Sequence, residues 1–191
     1  QVEVMLKRLF DLVLALASAL LLALPMLAVA LAVKISSPGP VLYWSDRVGR
    51  YNRIFRMPKF RSMRIDTPEV ATHLLRDPGD FMTPIGAFLR KTSLDELPQL
   101  WCILTGDMSF VGPRPALHNQ GDLIELRTRA GVHGLVPGLT GWAQINGRDE
   151  LPIPEKVVLD AEYLARQGFW FDIRIIWLTA IKVLKRDGVS H

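Results

Sequence analysis

From Leu12 to Val33 the chain is an apolar run of Leu, Ala, Val and Met, broken by Ser18 and Pro25 alone. At about 1.5 Å per residue it makes roughly 33 Å of helix, enough to cross the hydrocarbon core of a bilayer. Two features argue against a straight crossing. Pro25, near the middle, removes a backbone hydrogen bond and clashes with the preceding turn, so a kink is expected there. Basic residues lie on both sides, with Lys7 and Arg8 before the run and Lys34, Arg47, Arg50, Arg53, Arg56, Lys59, Arg61 and Arg64 after it. Basic flanks prefer the cytoplasmic face, and a re-entrant hairpin keeps both there, whereas a span must send one outward. The hairpin is the favoured reading and the span its alternative. A cleaved signal is disfavoured, because the run exceeds an h-region and no A-x-A site follows it.

The remainder suffices for one ordinary domain, so the 191 residues are expected to divide into a membrane hairpin over 1–37 and a domain over 38–191. A formal net charge of +4 suits anionic partners: nucleic acid, phosphorylated small molecules or an anionic membrane. Nucleic acid is the poorest of these, since the basic residues cluster beside an apolar segment. The single cysteine, Cys102, excludes an internal disulfide framework and a cysteine metal site, and its place in an apolar run reads as burial.

Val41 to Trp44 and Ile54 to Phe60 are β-favouring runs around Gly49–Asn52, which predicts a hairpin with a longer loop. Residues 66–82 read as a surface loop with a helical turn. Helical patterning follows at Ile85–Leu89 and Leu94–Leu104. Near the C-terminus Ile173, Ile176, Trp177, Ala180, Ile181 and Leu184 fall at helical spacing, with Arg174, Lys182, Lys185 and Arg186 largely elsewhere around the wheel and Trp170 nearby. Such a helix suits a membrane interface or the domain core. The expected class is α+β, mainly helical with a small β-hairpin or sheet, a proline-broken re-entrant membrane helix and interfacial amphipathic helices.

In "KTSLDELPQL" (Lys91 to Leu100) Asp95 and Glu96 stand between cations and an apolar run. Ser93 followed three residues later by Glu96 reads as a capping box, with Asp95 adding favourable charge to the first turn. The pair also suits Mg²⁺, which binds through one or two carboxylates plus substrate phosphates, and Arg90 and Lys91 could hold such a phosphate. Cap and reaction centre are compatible. Downstream, "GDMSFVGPRP" sets Arg114 between Pro113 and Pro115, and "PGLTGWAQINGRD" ends near Arg148; their glycines would let backbone approach a ligand, or simply make turns. His73, His118 and His133 show no metal-ligand spacing.

"KFRSM" (Lys59 to Met63), "SLDELPQL", "GDMSFVGPRP" and "PGLTGWAQINGR", in this order after a proline-broken apolar helix, resemble the bacterial sugar transferase family, the monotopic polyprenol-phosphate phosphoglycosyl transferases. The resemblance runs from about Leu6 to Val189. It implies transfer of a sugar-1-phosphate from a UDP-sugar to undecaprenyl phosphate, with release of UMP, at the cytoplasmic face of the bacterial inner membrane. It also implies Asp95 as nucleophile and Mg²⁺ ligand, Glu96 as its partner, and Arg90 on phosphate. Pro113, Arg114 and Pro115 would contact the nucleotide, Arg148 would lie near substrate, and Lys59 and Arg61 belong to the active-site region. Members often carry Ser-Pro at the helix break, where this chain has Leu24-Pro25. A membrane-bound interaction protein with a degenerate site is the competing reading, and the intact Asp95-Glu96 with Arg90 and Arg114 speaks against it.

Overall fold

A computed structural model describes residues 2–68, 77–147 and 151–185. His73, Arg148 and part of the 66–82 loop lie outside the described residues. Helix α1 (Val2–Leu21) and helix α2 (Ala23–Ser36) meet at a 62° bend. The hydrogen-bond ladder continues on either side of the bend, from Leu22 N to Ser18 O at 2.9 Å and from Met26 N to Leu22 O at 2.8 Å. Pro25 cannot donate to Leu21 and its ring crowds that carbonyl, so the break falls in the turn before the proline. Among the described residues no single helix is long and apolar enough to cross a membrane, but the bent pair together could by length and composition.

Strand β1 (Leu42–Val48) pairs antiparallel with β2 (Ile54–Phe60), as expected for a hairpin. Helix α3 (Gly86–Thr92), the 3₁₀ turn Leu94–Gln99 and α4 (Leu100–Thr105) follow in quick succession. Strand β3 (Ser109–Val111) then leads through α5 (Gly121–Arg129) to its parallel partner β4 (Gly138–Thr140), and α6 (Trp142–Asn146), α7 (Ile153–Arg166) and α8 (Phe169–Lys185) complete the chain. The fold is α+β and mainly helical, with two small two-stranded sheets among the described residues.

The N-terminal half of α1 is part of the domain. Ala15 is fully buried against Met57, Leu100, Ile103 and Met108. Arg8 donates to the Ile103 and Leu104 carbonyls at 2.6 and 2.8 Å and so closes the end of α4. Lys7 donates to the Val111 carbonyl at 3.1 Å and pairs with Asp172, which also accepts from the Tyr163 hydroxyl at 2.7 Å. Buried Asp11 accepts from the Phe110 amide at 3.1 Å. Lys7 and Arg8, the basic flank before the apolar run, are thus held by groups of the following domain.

Helix α8 has a buried and an exposed side. Ile175 and Asp172 are buried in the core, while Trp170 and Trp177 stand 80% and 66% exposed on the other side with Arg174 between them in sequence.

Candidate active site

Ser93 ends α3 in the left-handed region, at φ 57° and ψ 17°, and opens the turn that carries Asp95 and Glu96. The expected capping box does not form. Ser93 makes no side-chain cap bond; the Glu96 amide bonds the Ser93 carbonyl at 3.2 Å, and the Glu96 carboxylate turns away to cations of other segments. An N-cap side chain needs extended backbone to fold back on its helix, and the left-handed Ser93 lacks it. Pro98, which has no N–H, accompanies the tight 3₁₀ winding in place of a regular helix start.

Lys59, from β2, donates to Glu96 Oε1 at 3.1 Å, and Arg114 Nη2 donates to the same oxygen at 3.0 Å. Burial works to raise the Glu96 pKa, but the charges and hydrogen bonds of Arg114 and Lys59 outweigh it and hold this carboxyl well below the usual range. Asp95 is only 5% exposed, and its pKa moves the other way. Burial dominates and the Glu96 charge adds to it, against the opposing pull of Lys59, Arg90 and Arg114. Lys59 is lowered, first by burial and then by Arg114 and Arg47, despite the attraction of Glu96 and Asp95. Two adjacent carboxyls are thus separated in acidity: Glu96 is a fixed anion within an ion-pair cluster, and Asp95 is the group that titrates.

The turn bearing Arg114 is held by its backbone. Arg127 Nη1 donates to the Arg114 carbonyl at 2.7 Å, and Arg47 Nη1 donates to the Pro115 carbonyl at 3.2 Å. Arg127 is itself paired with buried Asp160, Nε and Nη2 both reaching Oδ2 at 2.9 and 2.7 Å. Gly112 and Gly138, one from each flanking motif, serve this arrangement. A Cβ on Gly112 would lie 2.4 Å from the Val136 carbonyl oxygen, and one on Gly138 would lie 2.1 Å from the Gly112 nitrogen, so the two loops touch backbone to backbone. Gly112 N bonds Thr140 O and Gly138 N bonds Pro113 O, each at 2.9 Å.

Arg90, at the end of α3, donates from Nε to the Ser62 hydroxyl at 3.1 Å and from Nη2 to Met63 Sδ at 3.4 Å, within the "KFRSM" segment. Its charge reaches Asp95. Arg61 is placed differently. It is buried and donates to the Ser37 carbonyl and hydroxyl, both at 2.9 Å, and to the Pro38 carbonyl at 2.5 Å. These contacts make it the joint between α2 and the hairpin, and Gly39, at φ +121°, leaves room for it where a Cβ would sit 2.7 Å from its Nη1.

Sequence reasoning passed over Arg47, Arg127 and Asp160. Arg47 carried no signal beyond a general basic stretch, and the Arg127–Asp160 pair joins residues 33 positions apart. Cys102 is buried as expected, and burial pushes its thiol up to about 12, which makes it inert. Among the described residues no group of three or more His, Cys, Asp or Glu side chains could hold a metal. The acidic donor set at the centre is the pair Asp95 and Glu96, with one Glu96 oxygen already accepting from two cations.

The family model described as bacterial sugar transferase matches residues 2–186. The UDP-glucose:undecaprenyl-phosphate glucose-1-phosphate transferase of Escherichia coli is 46% identical over 93% of this chain and 40% of its own length. The undecaprenyl-phosphate galactose phosphotransferase of Salmonella typhimurium is 39% identical over 96% of this chain and 41% of its own. An uncharacterized sugar transferase of Bacillus subtilis, EpsL, is 39% identical over 97% of this chain and 91% of its own. This chain spans about two fifths of the first two relatives and nearly all of the third. With the family match reaching from the first turn of α1 to the end of α8, the chain belongs to the bacterial sugar transferase family.

Proposed function

We propose that this chain transfers a sugar-1-phosphate from a UDP-sugar to undecaprenyl phosphate, releasing UMP, as the first membrane step of a bacterial O-antigen, capsule, exopolysaccharide or glycoprotein pathway. The observation that carries this reading is a buried carboxylate, Asp95, set among Lys59, Arg90 and Arg114. A carboxylate attacks a diphosphate only where cations neutralise the combined charge. In the proposed mechanism an Asp95 oxygen attacks the sugar-bearing phosphorus, its bond to UMP breaks, and an acyl-phosphate sugar remains on Asp95. An oxygen of the lipid phosphate then attacks the same phosphorus and restores the carboxylate. Arg114 faces the diphosphate, Pro113 and Pro115 stiffen its backbone, and Glu96 keeps Lys59 and Arg114 in place. Arg148 is assigned a place near the substrate by the family resemblance.

Mg²⁺ fits this donor set, since it is commonly held by one or two carboxylates and completed by phosphates and water. Asp95 would hold it, with the second Glu96 oxygen beside it. Bound there, the ion would neutralise phosphate charge.

The same reading makes α1 and α2 a re-entrant hairpin at the cytoplasmic face of the inner membrane. Lys7, Arg8 and Asp11 at the start of α1 bond groups of the domain that follows α2, so a full crossing would separate partners that touch. The exposed Trp170 and Trp177 of α8 suit the headgroup layer beside it. The residues 1–37 are then a membrane unit that depends on the domain over 38–191 for its packing.

A panel of UDP-sugars assayed for UMP release, with undecaprenyl phosphate and Mg²⁺ present, is expected to identify one preferred donor and a lipid-linked product. Donor-independent silence across the panel, in folded protein, would overturn the reading.

A further inference from the structure

Strand β3 meets β4 along one edge, where Ser109 N bonds Pro137 O and Gly112 N bonds Thr140 O, each at 2.9 Å. A sheet of two such short strands is marginal by itself. Among the described residues no strand pairs the other edge of β3. Side chains take that place. Asp11 Oδ1 accepts from the Phe110 N–H at 3.1 Å, and Lys7 Nζ donates to the Val111 carbonyl at 3.1 Å. The Tyr163 hydroxyl shares its one proton between that carbonyl, at 3.3 Å, and Asp172 Oδ1, at 2.7 Å, while Asp172 Oδ2 pairs with Lys7. Asp11, Val111, Tyr163 and Asp172 are each 4% exposed or less, so water does not replace a lost partner here.

We infer that Asp11 of α1 and Tyr163 of α7 are positioning residues for the UDP-sugar: by pairing the outer edge of β3 they hold Gly112, Pro113 and Arg114 where Arg114 reaches Glu96. The inference rests on the transfer reading above and adds to it the groups that place the Arg114 turn. Val111 runs directly into that turn, and Gly112 has no slack, because a Cβ there would lie 2.4 Å from the Val136 carbonyl oxygen. A shift of β3 therefore carries Gly112 with it, and Arg114 two residues on. Arg127 and Arg47 secure the turn downstream, at the Arg114 and Pro115 carbonyls, and the edge of β3 secures it upstream. Helix α1 also ties this turn to the other half of the site. Lys7, Asp11 and Ala15 recur every four residues along one helix face, and Ala15 packs on Leu100 and Ile103 of α4, which follows the Asp95 turn. One face of α1 thus touches the strand before Arg114 and the helix after Asp95, and it sets the distance between them.

The test uses the full chain in detergent micelles, with UMP as the probe, since UMP is the expected product whatever the sugar. Asp11→Leu removes the acceptor of the Phe110 amide, whereas Asp11→Asn keeps a carbonyl oxygen there. Calorimetry should find UMP binding weakened about tenfold in Asp11→Leu, as the fraction of molecules with the turn in place falls to about one tenth. Asp11→Asn should return it to within about twofold of wild type. Tyr163→Phe keeps the ring against Phe171 and should weaken UMP binding about fivefold, the worth of one ordinary hydrogen bond. If Asp11→Leu does not fold, Tyr163→Phe carries the same test. Wild-type UMP affinity in the folded variants, or an equal loss in Asp11→Asn, would overturn the inference and leave these residues as supports of the fold alone. Hydrogen exchange without nucleotide gives a second measure. The Gly112 and Gly138 amides should exchange faster in Asp11→Leu and Tyr163→Phe, with the β1–β2 hairpin at wild-type rates. A wild-type protein that neither binds UMP nor releases it from any UDP-sugar would defeat the transfer reading. The exchange rates then decide the positioning role, and unchanged rates at Gly112 and Gly138 would overturn it.

Discussion

The guanidinium of Arg127 reaches the backbone carbonyl of Arg114 at 2.7 Å while its other edge is locked to Asp160. One buried ion pair thereby fixes the backbone of the residue whose side chain meets Glu96. Removing one partner of a buried pair leaves an uncompensated charge and costs about 3–5 kcal/mol. Arg127→Met should therefore lower the unfolding free energy by about that amount in urea titrations. Its KM for the UDP-sugar should rise more than its kcat falls, because Arg114 loses its mooring. A variant with wild-type donor KM would show that the turn holds itself.

Asp95→Asn separates fold from chemistry. It should fold and associate with membranes yet transfer no phospho-sugar. Wild-type protein given UDP-sugar and Mg²⁺ without lipid should release up to about one equivalent of UMP, as a single covalent turnover requires. Mass spectrometry of the quenched sample should place the adduct on the Asp95 peptide. If neither UMP nor adduct forms in a preparation active with lipid, the lipid phosphate attacks directly and Asp95 acts otherwise.

The pH profile follows from opposite shifts. Asp95 must be ionised to attack, and burial raises its pKa above the ordinary 3.8, so kcat/KM should fall as pH drops through that raised value. Lys59 is lowered by burial, so the alkaline limb should come before the ordinary lysine value of 10.5. Lys59→Met removes the largest charge opposing the Asp95 shift, and the acid limb should move to higher pH. Stability runs the other way. A raised folded-state pKa means that ionised Asp95 weakens the fold above that pKa. Asp95→Asn should accordingly melt higher than wild type at pH 7, with the gap closing below about pH 3.8. Equal melting curves at both pH values would refute this account of Asp95.

Arg61 has a structural assignment that differs from its neighbours in "KFRSM". Arg61→Lys cannot reach all three acceptors at Ser37 and Pro38 and should cost about 2–3 kcal/mol in stability. Its donor KM should stay at the wild-type value. A raised donor KM at unchanged stability would return Arg61 to the substrate.

The topology is open to labelling. Cysteines placed at Val2 and Val183, both exposed, in a Cys102→Ala background should react from the same side of inverted vesicles. Reaction from opposite sides would establish a span.

Where residues act locally, the sequence announced them. Alternating β-favouring residues around Gly49–Asn52 mark the hairpin, and Pro25 marks the bend. The carboxylate pair and the Pro-Arg-Pro turn are visible as strings, yet their electrostatic division of labour is not, because it depends on Lys59 arriving from β2 and Arg127 from α5. Strands β3 and β4 have three residues each and leave no periodicity to read. Helix α7 lacks a side-chain N-cap and begins between Pro152 and Pro154, with no capping pattern to mark its start. Ser93 misled for a different reason. The capping pattern was present, but the left-handed backbone that redirects the chain made it unusable.

The tie between Lys7 and Asp172 joins positions 165 residues apart. A ribosome adding about 5–20 residues per second needs roughly 10 to 30 s to cover that distance. Throughout that interval the start of α1 has none of its final partners in α8, and α4 is itself completed only partway through. The start of α1 must therefore wait for its partner in α8. The bend has to be encoded where Pro25 encodes it, within α1 and α2 themselves, since the α8 contact that later holds the start of α1 has yet to be translated.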